Sequence, residues 1–115
     1  YSPESHHAIG AAEIAQMKPT ATLVNVARGG IVDDAALIEA LRDGKIAAAG
    51  IDVFENEPAF NPGFLALKNV ALTPHIGSAS LNTRLAMANT AAGNLIAALS
   101  GATPPNLLNP EVLKK

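Results

Sequence analysis

The sequence predicts an α/β domain built on a parallel β-sheet, and two observations support this prediction. Three short apolar segments alternate with segments of helical periodicity, an order typical of parallel strands joined by right-handed helical crossovers. Each apolar segment ends in a polar side chain, namely Arg28, Asp52 or His75. Because ligands of open α/β sheets bind beyond the carboxyl ends of the strands, these three ends predict an active site.

The first elements are predicted to be a short helix and a buried strand. Ser5 or a neighbour would cap the helix, which would include Ile9 and end at Pro19, since proline disfavours a helical residue before it. Residues 22–26 form an apolar, β-branched run typical of a buried strand. Its apolar character suits a strand with neighbours on both edges and helices on both faces. One neighbour would be a further strand lying before Tyr1, and without that strand we expect an open edge.

A second helix and a second strand are predicted next. Asp33 or Asp34 would provide the N-cap, and Gly44 fits the position where a left-handed residue ends a helix. Residues 46–53 would form the second strand, with small alanines that allow close helix packing. The apolar face of the helix would consist of Leu37, Ile38 and Leu41.

The last third of the chain predicts a strand, a long helix and a tail. Residues 69–73 would form the third strand. The helix would begin at Ser78 or Ser80 and end at Gly101, with apolar residues at steps of three and four. Residues 103–115 contain three prolines and no clear period, which indicates a tail.

Composition excludes several classes of function. The 115 residues are 49% hydrophobic and carry a net charge of -2, and the eight Lys and Arg are scattered, so we expect no nucleic-acid partner. No cysteine is present, which excludes disulfides and thiolate metal sites and fits a cytoplasmic protein. No apolar run reaches the length of a membrane helix, and no signal peptide is visible, so we expect no membrane partner.

Arg28 directly follows the first strand and precedes two glycines. One interpretation is structural: the arginine caps a helix or pairs with Asp33. The other is a planar guanidinium that binds a ligand carboxylate through two parallel hydrogen bonds. Gly29 and Gly30 would let the backbone turn sharply and leave room for that ligand.

Glu57 and His75 form a candidate carboxylate–imidazole pair. Taken singly, Glu57 before Pro58 is typical of a loop, and a lone histidine is more often a satisfied polar residue. As a pair, the carboxylate would fix the imidazole tautomer and make His75 a general acid or base near neutral pH. Asp52 would either form a turn or accept a hydrogen bond from a ligand amide.

The pair His6–His7 lacks an acidic partner at ligand spacing in the sequence. We therefore expect both histidines to be solvated surface residues. With no cysteine and few histidines, we expect no metal site.

Three motifs together resemble the signatures of the D-isomer-specific 2-hydroxyacid dehydrogenases. They are NVARGGIVD at residues 25–33, GIDVFENEP at residues 50–58 and PHIGSA at residues 74–79. The spacings between Arg28, Glu57 and His75 also fit, and nearly the whole chain is covered. The chain is most similar to the glyoxylate/hydroxypyruvate reductase and 2-ketogluconate reductase branch. Glu57 separates it from the formate dehydrogenase branch, which has glutamine there.

The resemblance implies a role for each site residue. Arg28 would bind the substrate carboxylate and keto oxygen, and His75 would be the acid/base on the C2 oxygen. Glu57 would orient His75 and favour its protonated form, and Asp52 would hold the carboxamide of NAD or NADP. The nicotinamide end of the cofactor would also be lined by Val26, Ala27, Arg28, His75, Gly77 and Ser78.

The resemblance also implies a partial Rossmann-like parallel sheet of three strands with crossover helices, plus a long C-terminal helix and tail. Residues 1–100 would form the C-terminal half of a dinucleotide-binding domain, and residues 101–115 a tail that docks on an absent substrate domain. No G-x-G-x-x-G fingerprint is present, so the pyrophosphate would be bound elsewhere. We expect a homodimeric parent enzyme and an inactive isolated fragment that is not a bare monomer, because open strand edges recruit other chains.

Two functions are compatible with the sequence. The first is an NAD(P)-dependent oxidoreductase that transfers a hydride between nicotinamide and a small 2-oxo or 2-hydroxy acid. The second is a nucleotide-sensing binding protein of the same fold, similar to co-repressors that share these motifs. A peptide-binding cleft outside this chain would distinguish the second from the first.

Overall fold

The computed structural model describes residues 1–113, and its central element is one parallel sheet, as predicted. The strands lie in the order β1-β2-β3, with Thr22 opposite Ala48 and Ala49 opposite Val70. All three are shorter than the apolar runs that predicted them. β1 ends at Asn25, because the backbone amide of Ala27 donates to the side chain of Asn25 instead of to a neighbouring strand. The strands are β1 Thr22–Asn25, β2 Ala48–Ile51 and β3 Val70–Leu72.

The helices of the described residues are α1 Ala11–Ile14, α2 Asp34–Arg42 and α3 Leu81–Leu99. Short 3-10 turns occur at Pro3–Ser5, Pro62–Ala66 and Pro110–Leu113.

Helix α2 begins and ends where the sequence predicts. Asp33 is its N-cap, and its carboxylate accepts the Ala36 amide at 3.0 Å. Gly44 has a left-handed φ of 67°, and its amide and that of Lys45 satisfy carbonyls of the last turn, which is a Schellman ending. The apolar face of α2 is buried, as expected.

The first helix differs from the prediction. α1 has four residues, and its N-cap is Gly10 instead of Ser5, which lies in a 3-10 turn. Ile9 is not helical, because its amide donates to the Ile31 carbonyl and its carbonyl accepts from the Asp33 amide. These two bonds commit the backbone at Ile9 to an extended bridge with Val32.

The core lies on one face of the sheet. Leu37 of α2 and Phe64 of the turn Pro62–Ala66 are fully buried there, against Leu23 and Ile51 of the strands. On the opposite face Val24 is 65% exposed. Within residues 1–77 β1 is an edge strand paired only with β2, which is the open edge expected when the further strand is missing; the covering of both faces in a longer protein stays a prediction.

The chain divides into two compact units, Tyr1–Gly77 and a second that begins at Ser78. In the second unit, Ser80 caps α3 by accepting the Thr83 amide, and Gly101 at φ 76° follows the last turn. Asn94 and Asn106 exchange two hydrogen bonds that fasten the tail to α3. The predicted division at residue 100 stays a prediction, and residues 114 and 115 lie outside the described residues.

Gly29→Ala should destabilise the first unit. A Cβ at Gly29 would lie 1.8 Å from the Phe54 carbonyl oxygen, so the backbone must shift, and we expect a loss of about 2 kcal/mol or more. Urea denaturation followed by circular dichroism measures it. Gly93→Ala is the control, because a Cβ there meets nothing within 4 Å and alanine favours a helix by about 0.5–1 kcal/mol. Equal stability of Gly29→Ala and wild type would contradict the close approach.

Candidate active site

A cavity of about 570 Å³ lies in the first unit and is bordered by residues from the predicted strand ends. Arg28 follows β1, Glu57 lies in the loop after β2, and His75 lies in the loop after β3. Parallel strands bring their carboxyl ends to one edge of a sheet, so residues that are distant in sequence meet there. The cavity is also bordered by Tyr1, His6, His7, Gly30 and Glu55.

Glu57 and His75 are in direct contact. The Nδ1 atom of His75 lies 2.8 Å from Oε2 of Glu57, and Oε1 of Glu57 accepts the Phe54 amide at 2.7 Å. These hydrogen bonds, that of His75 first, lower the pKa of the Glu57 carboxyl, so the ionised carboxylate accepts and Nδ1 donates. The Nε2 atom of His75 is then the ring nitrogen that can exchange a proton with a ligand.

Asp52 holds the loop that carries His75. Its Oδ1 accepts the Thr73 hydroxyl at 2.5 Å and the Ile76 amide at 2.8 Å, and its Oδ2 accepts the Gly77 amide at 2.8 Å. These bonds, that of Thr73 first, lower the pKa of Asp52. The loop needs this support because His75 has a left-handed φ of 54°, a conformation that costs energy in residues other than glycine.

Asn25 organises the turn that carries Arg28. Its amide group donates to the Arg28 carbonyl and its oxygen accepts the Ala27 amide, both at 3.1 Å. The sequence prediction did not include Asn25, although a polar residue that ends a buried strand is the signal that could have revealed it. Arg28 itself is exposed, and its guanidinium donates to the Ala27 carbonyl. No ion pair between Arg28 and Asp33 occurs among residues 1–113.

The expectation that both His6 and His7 are solvated is wrong for His7. His7 is half-buried, its Nε2 pairs with the Glu55 carboxylate, and its Nδ1 lies 3.5 Å from Asp33. The hydrogen bond with Glu55 raises the pKa of His7 above its usual value. The partner is 48 positions away, so no local spacing could indicate it. His6 is exposed.

Four of the residues predicted to line the cofactor have different surroundings in the structure. The Ala27 amide is already bonded to Asn25, and Val26 is largely exposed next to it. The Gly77 amide is bonded to Asp52. Ser78 begins the second unit. The roles that the resemblance gives to Val26, Ala27, Gly77 and Ser78 stay predictions.

Parallel strands, with Arg28, Glu57 and His75 in the loops that follow their carboxyl ends, define an α/β domain of the nucleotide-binding class. The family model described as the NAD binding domain of D-isomer specific 2-hydroxyacid dehydrogenases matches residues 1–77. The chain belongs to this family.

Named relatives are reductases. A glyoxylate reductase of Thermococcus gammatolerans is 56% identical over 111 residues, and a glyoxylate/hydroxypyruvate reductase B of Enterobacter agglomerans is 52% identical over 112 residues. Each alignment covers 96% of this chain but 33% and 35% of those proteins, so the chain spans about a third of their length. These names give no support to the co-repressor-like alternative.

Solved structures share the fold. The TT0316 protein of Thermus thermophilus superposes with a TM-score of 0.87 at 45% identity, over 94% of this chain and 35% of that one. An NADPH-dependent glyoxylate/hydroxypyruvate reductase of Sinorhizobium meliloti, in complex with NADP and malonate, gives 0.83 at 44% identity, over 86% and 31%. Among the described residues, no helix is long and apolar enough to cross a membrane.

Asp52→Asn should destabilise the chain at neutral pH and much less in acid. The pKa of Asp52 is lowered by folding, so its contribution to the free energy of unfolding is present above about pH 4 and is lost as the pH falls through its folded pKa. Urea titrations of wild type and variant at pH 7 and pH 3 measure this difference. The control Asp43→Asn removes an exposed carboxylate that contacts only Lys45 and should change little. A difference that is independent of pH would contradict the role of the Asp52 charge.

Proposed function

We propose that this chain provides the acid–base group and the nicotinamide side of the active site in an NAD(P)-dependent D-2-hydroxyacid dehydrogenase. The substrate would be a small 2-oxo acid of the glyoxylate, hydroxypyruvate or 2-ketogluconate type. The observation that carries the proposal is the hydrogen-bonded pair of Glu57 and His75 on the same cavity as Arg28. Its test is the oxidation of NADH or NADPH by glyoxylate or hydroxypyruvate, catalysed by the enzyme that contains this chain.

The residues present fit a nicotinamide group. Asp52 directly follows β2, and among residues 1–113 its Oδ2 accepts only the Gly77 amide, so one lone pair is left for the N–H of a carboxamide. When bound, the nicotinamide supplies the hydride in reduction and accepts it in oxidation. We assign the surroundings of its ring to the backbone at Val26, Ala27 and Arg28 and to the loop after β3.

Arg28 is assigned to the substrate carboxylate. Its guanidinium borders the cavity and has no carboxylate partner among residues 1–113, so its fork of donors is available for a bidentate bond. Such a bond fixes both the position and the plane of a 2-oxo acid. The keto oxygen is then oriented relative to His75.

His75 is assigned to proton transfer at the C2 oxygen. Glu57 accepts the hydrogen bond from Nδ1, so the proton given to the oxygen as the 2-oxo acid is reduced comes from Nε2. In oxidation the same nitrogen accepts the proton from the 2-hydroxyl group. Glu57 stays ionised throughout, because its pKa is low and its second oxygen is held by the Phe54 amide.

We further propose that the enzyme is a cytoplasmic homodimer. A dimer would cover large apolar side chains that α3 leaves exposed, among them Leu81, Leu95 and Leu99. Light scattering of the purified enzyme tests the dimer, and a monomeric mass would overturn it.

Arg28→Lys should lower kcat/KM about a hundredfold, with a higher KM and a lower kcat. A lysine provides a point charge instead of a planar fork, and a charged hydrogen bond is worth roughly 3 kcal/mol. Steady-state kinetics with glyoxylate measure the loss. Arg42→Lys, on the exposed side of α2, is the matched control and should behave as wild type. Unchanged kinetics of Arg28→Lys would exclude the assigned role.

Glu57→Gln should lower kcat for reduction about tenfold to a hundredfold and leave KM near the wild-type value. The Glu57 carboxylate is the charged acceptor for Nδ1–H of His75, and a neutral amide holds the imidazole ring less firmly in its reacting position. Steady-state kinetics with glyoxylate measure both constants. Glu39→Gln, an exposed change on α2, should behave as wild type. A wild-type kcat in Glu57→Gln would separate Glu57 from the proton transfer.

A further inference from the structure

His7 connects the segments that carry the site residues. Its amide donates to the Gly30 carbonyl at 2.7 Å, two residues beyond Arg28. Its Nε2 pairs with the Glu55 carboxylate, and its Nδ1 lies 3.5 Å from the carboxylate of Asp33, the N-cap of α2. One half-buried residue therefore contacts the turn after β1 through its backbone, and the start of α2 and the loop after β2 through its side chain.

Glu55 is held at two points. Its side chain pairs with His7, and its amide donates at 3.0 Å to Asp34, whose carboxylate is 2% exposed. Glu55 is flanked by Phe54, whose amide binds Glu57, and lies two positions before Glu57 itself. The position of the Glu57 carboxylate therefore depends on how firmly Glu55 is held.

The groups that face His7 are all acidic apart from His6. Glu55, Asp33 and Asp34 contribute carboxylates, and the His6 ring stacks on His7 with centroids 3.9 Å apart. Without the imidazole, the Glu55 carboxylate would have only like charges as neighbours from α2, and like charges repel. We therefore expect the loop to move away from α2 when His7 is removed.

The cluster of His6, His7 and Glu55 is poorly arranged to bind a metal ion. Donor atoms of His6, His7 and Glu55 lie within 4.8 Å of one another. However, Nε2 of His7 is already paired with Glu55, and Nδ1 of His6 with the Tyr1 hydroxyl at 2.7 Å. The two rings are stacked at an angle of 24°, so their lone pairs run nearly parallel instead of converging on one ion.

We propose that His7 is a positioning residue, which fixes the loop of residues 54–57 against the Arg28 turn and so places Glu57 against His75. The proposal rests on the proposed dehydrogenase function, since it assigns His7 to the placement of that acid–base pair. His7 acts through Glu55 and touches neither substrate nor cofactor.

The test compares His7→Gln and Glu55→Gln with the control Glu111→Gln, an exposed carboxylate in the turn Pro110–Leu113, in the enzyme that contains this chain. Hydrogen–deuterium exchange with mass spectrometry follows a peptide over residues 53–60 and, as a reference, one over α2. We expect both test variants to exchange about tenfold faster at residues 53–60, with α2 unchanged, while Glu111→Gln matches wild type.

Kinetics give the second readout. We expect both test variants to lose about tenfold to a hundredfold in kcat/KM, the range expected of a misplaced catalytic group, with the loss in kcat and KM near wild type, as for Glu57→Gln. A loss of activity that lies in KM instead would overturn the positioning role. Unchanged exchange at residues 53–60 would also overturn the positioning role. Faster exchange that extends to α2 would do the same, because it indicates general destabilisation. If wild type reduces no 2-oxo acid, the proposed function fails, and the exchange data alone decide the role of His7.

Discussion

The close approach of two backbones determines the geometry of the site. At Gly29 the turn after β1 lies against the carbonyl of Phe54 in the loop after β2, with no room for a side chain. Neither loop can move independently of the other while this contact persists. Arg28 precedes the contact, and the segment from Phe54 to Glu57 follows it, so the Arg28 side and the Glu57 side of the cavity share one support.

Three carboxylates hold the loops in place, and each does so by accepting hydrogen bonds from backbone amides. Asp52 binds the amides of Ile76 and Gly77, Asp34 binds that of Glu55, and Glu57 binds that of Phe54. Hydrogen bonds to a charged acceptor are stronger than neutral ones. The loops at the cavity are therefore fixed by short, directional hydrogen bonds, whereas the strands are held by the buried apolar core.

Local signals in the sequence were enough to predict the alternation of strands and helices and both ends of α2, since Asp33 and Gly44 act on their immediate neighbours. The apolar pattern overestimated strand lengths, because it does not reveal the competing hydrogen bond from the Ala27 amide to the Asn25 side chain. It also extended the first helix to Ile9, whose hydrogen bonds go to residues more than twenty positions away. The contact of Gly29 with Phe54 and that of His7 with Glu55 depend on tertiary structure, and no periodicity encodes them.

The capture of two successive amides by Asp52 also affects how charge is distributed around the cavity. Consecutive N–H groups that point to one spot commonly form a concave site for anions. After β3 that concavity is filled from within the protein, because Ile76 and Gly77 both donate to the Asp52 carboxylate. Under the proposed function, the amides of Ile76 and Gly77 are therefore not available to the substrate carboxylate, and the guanidinium of Arg28 after β1 is the group assigned to attract it.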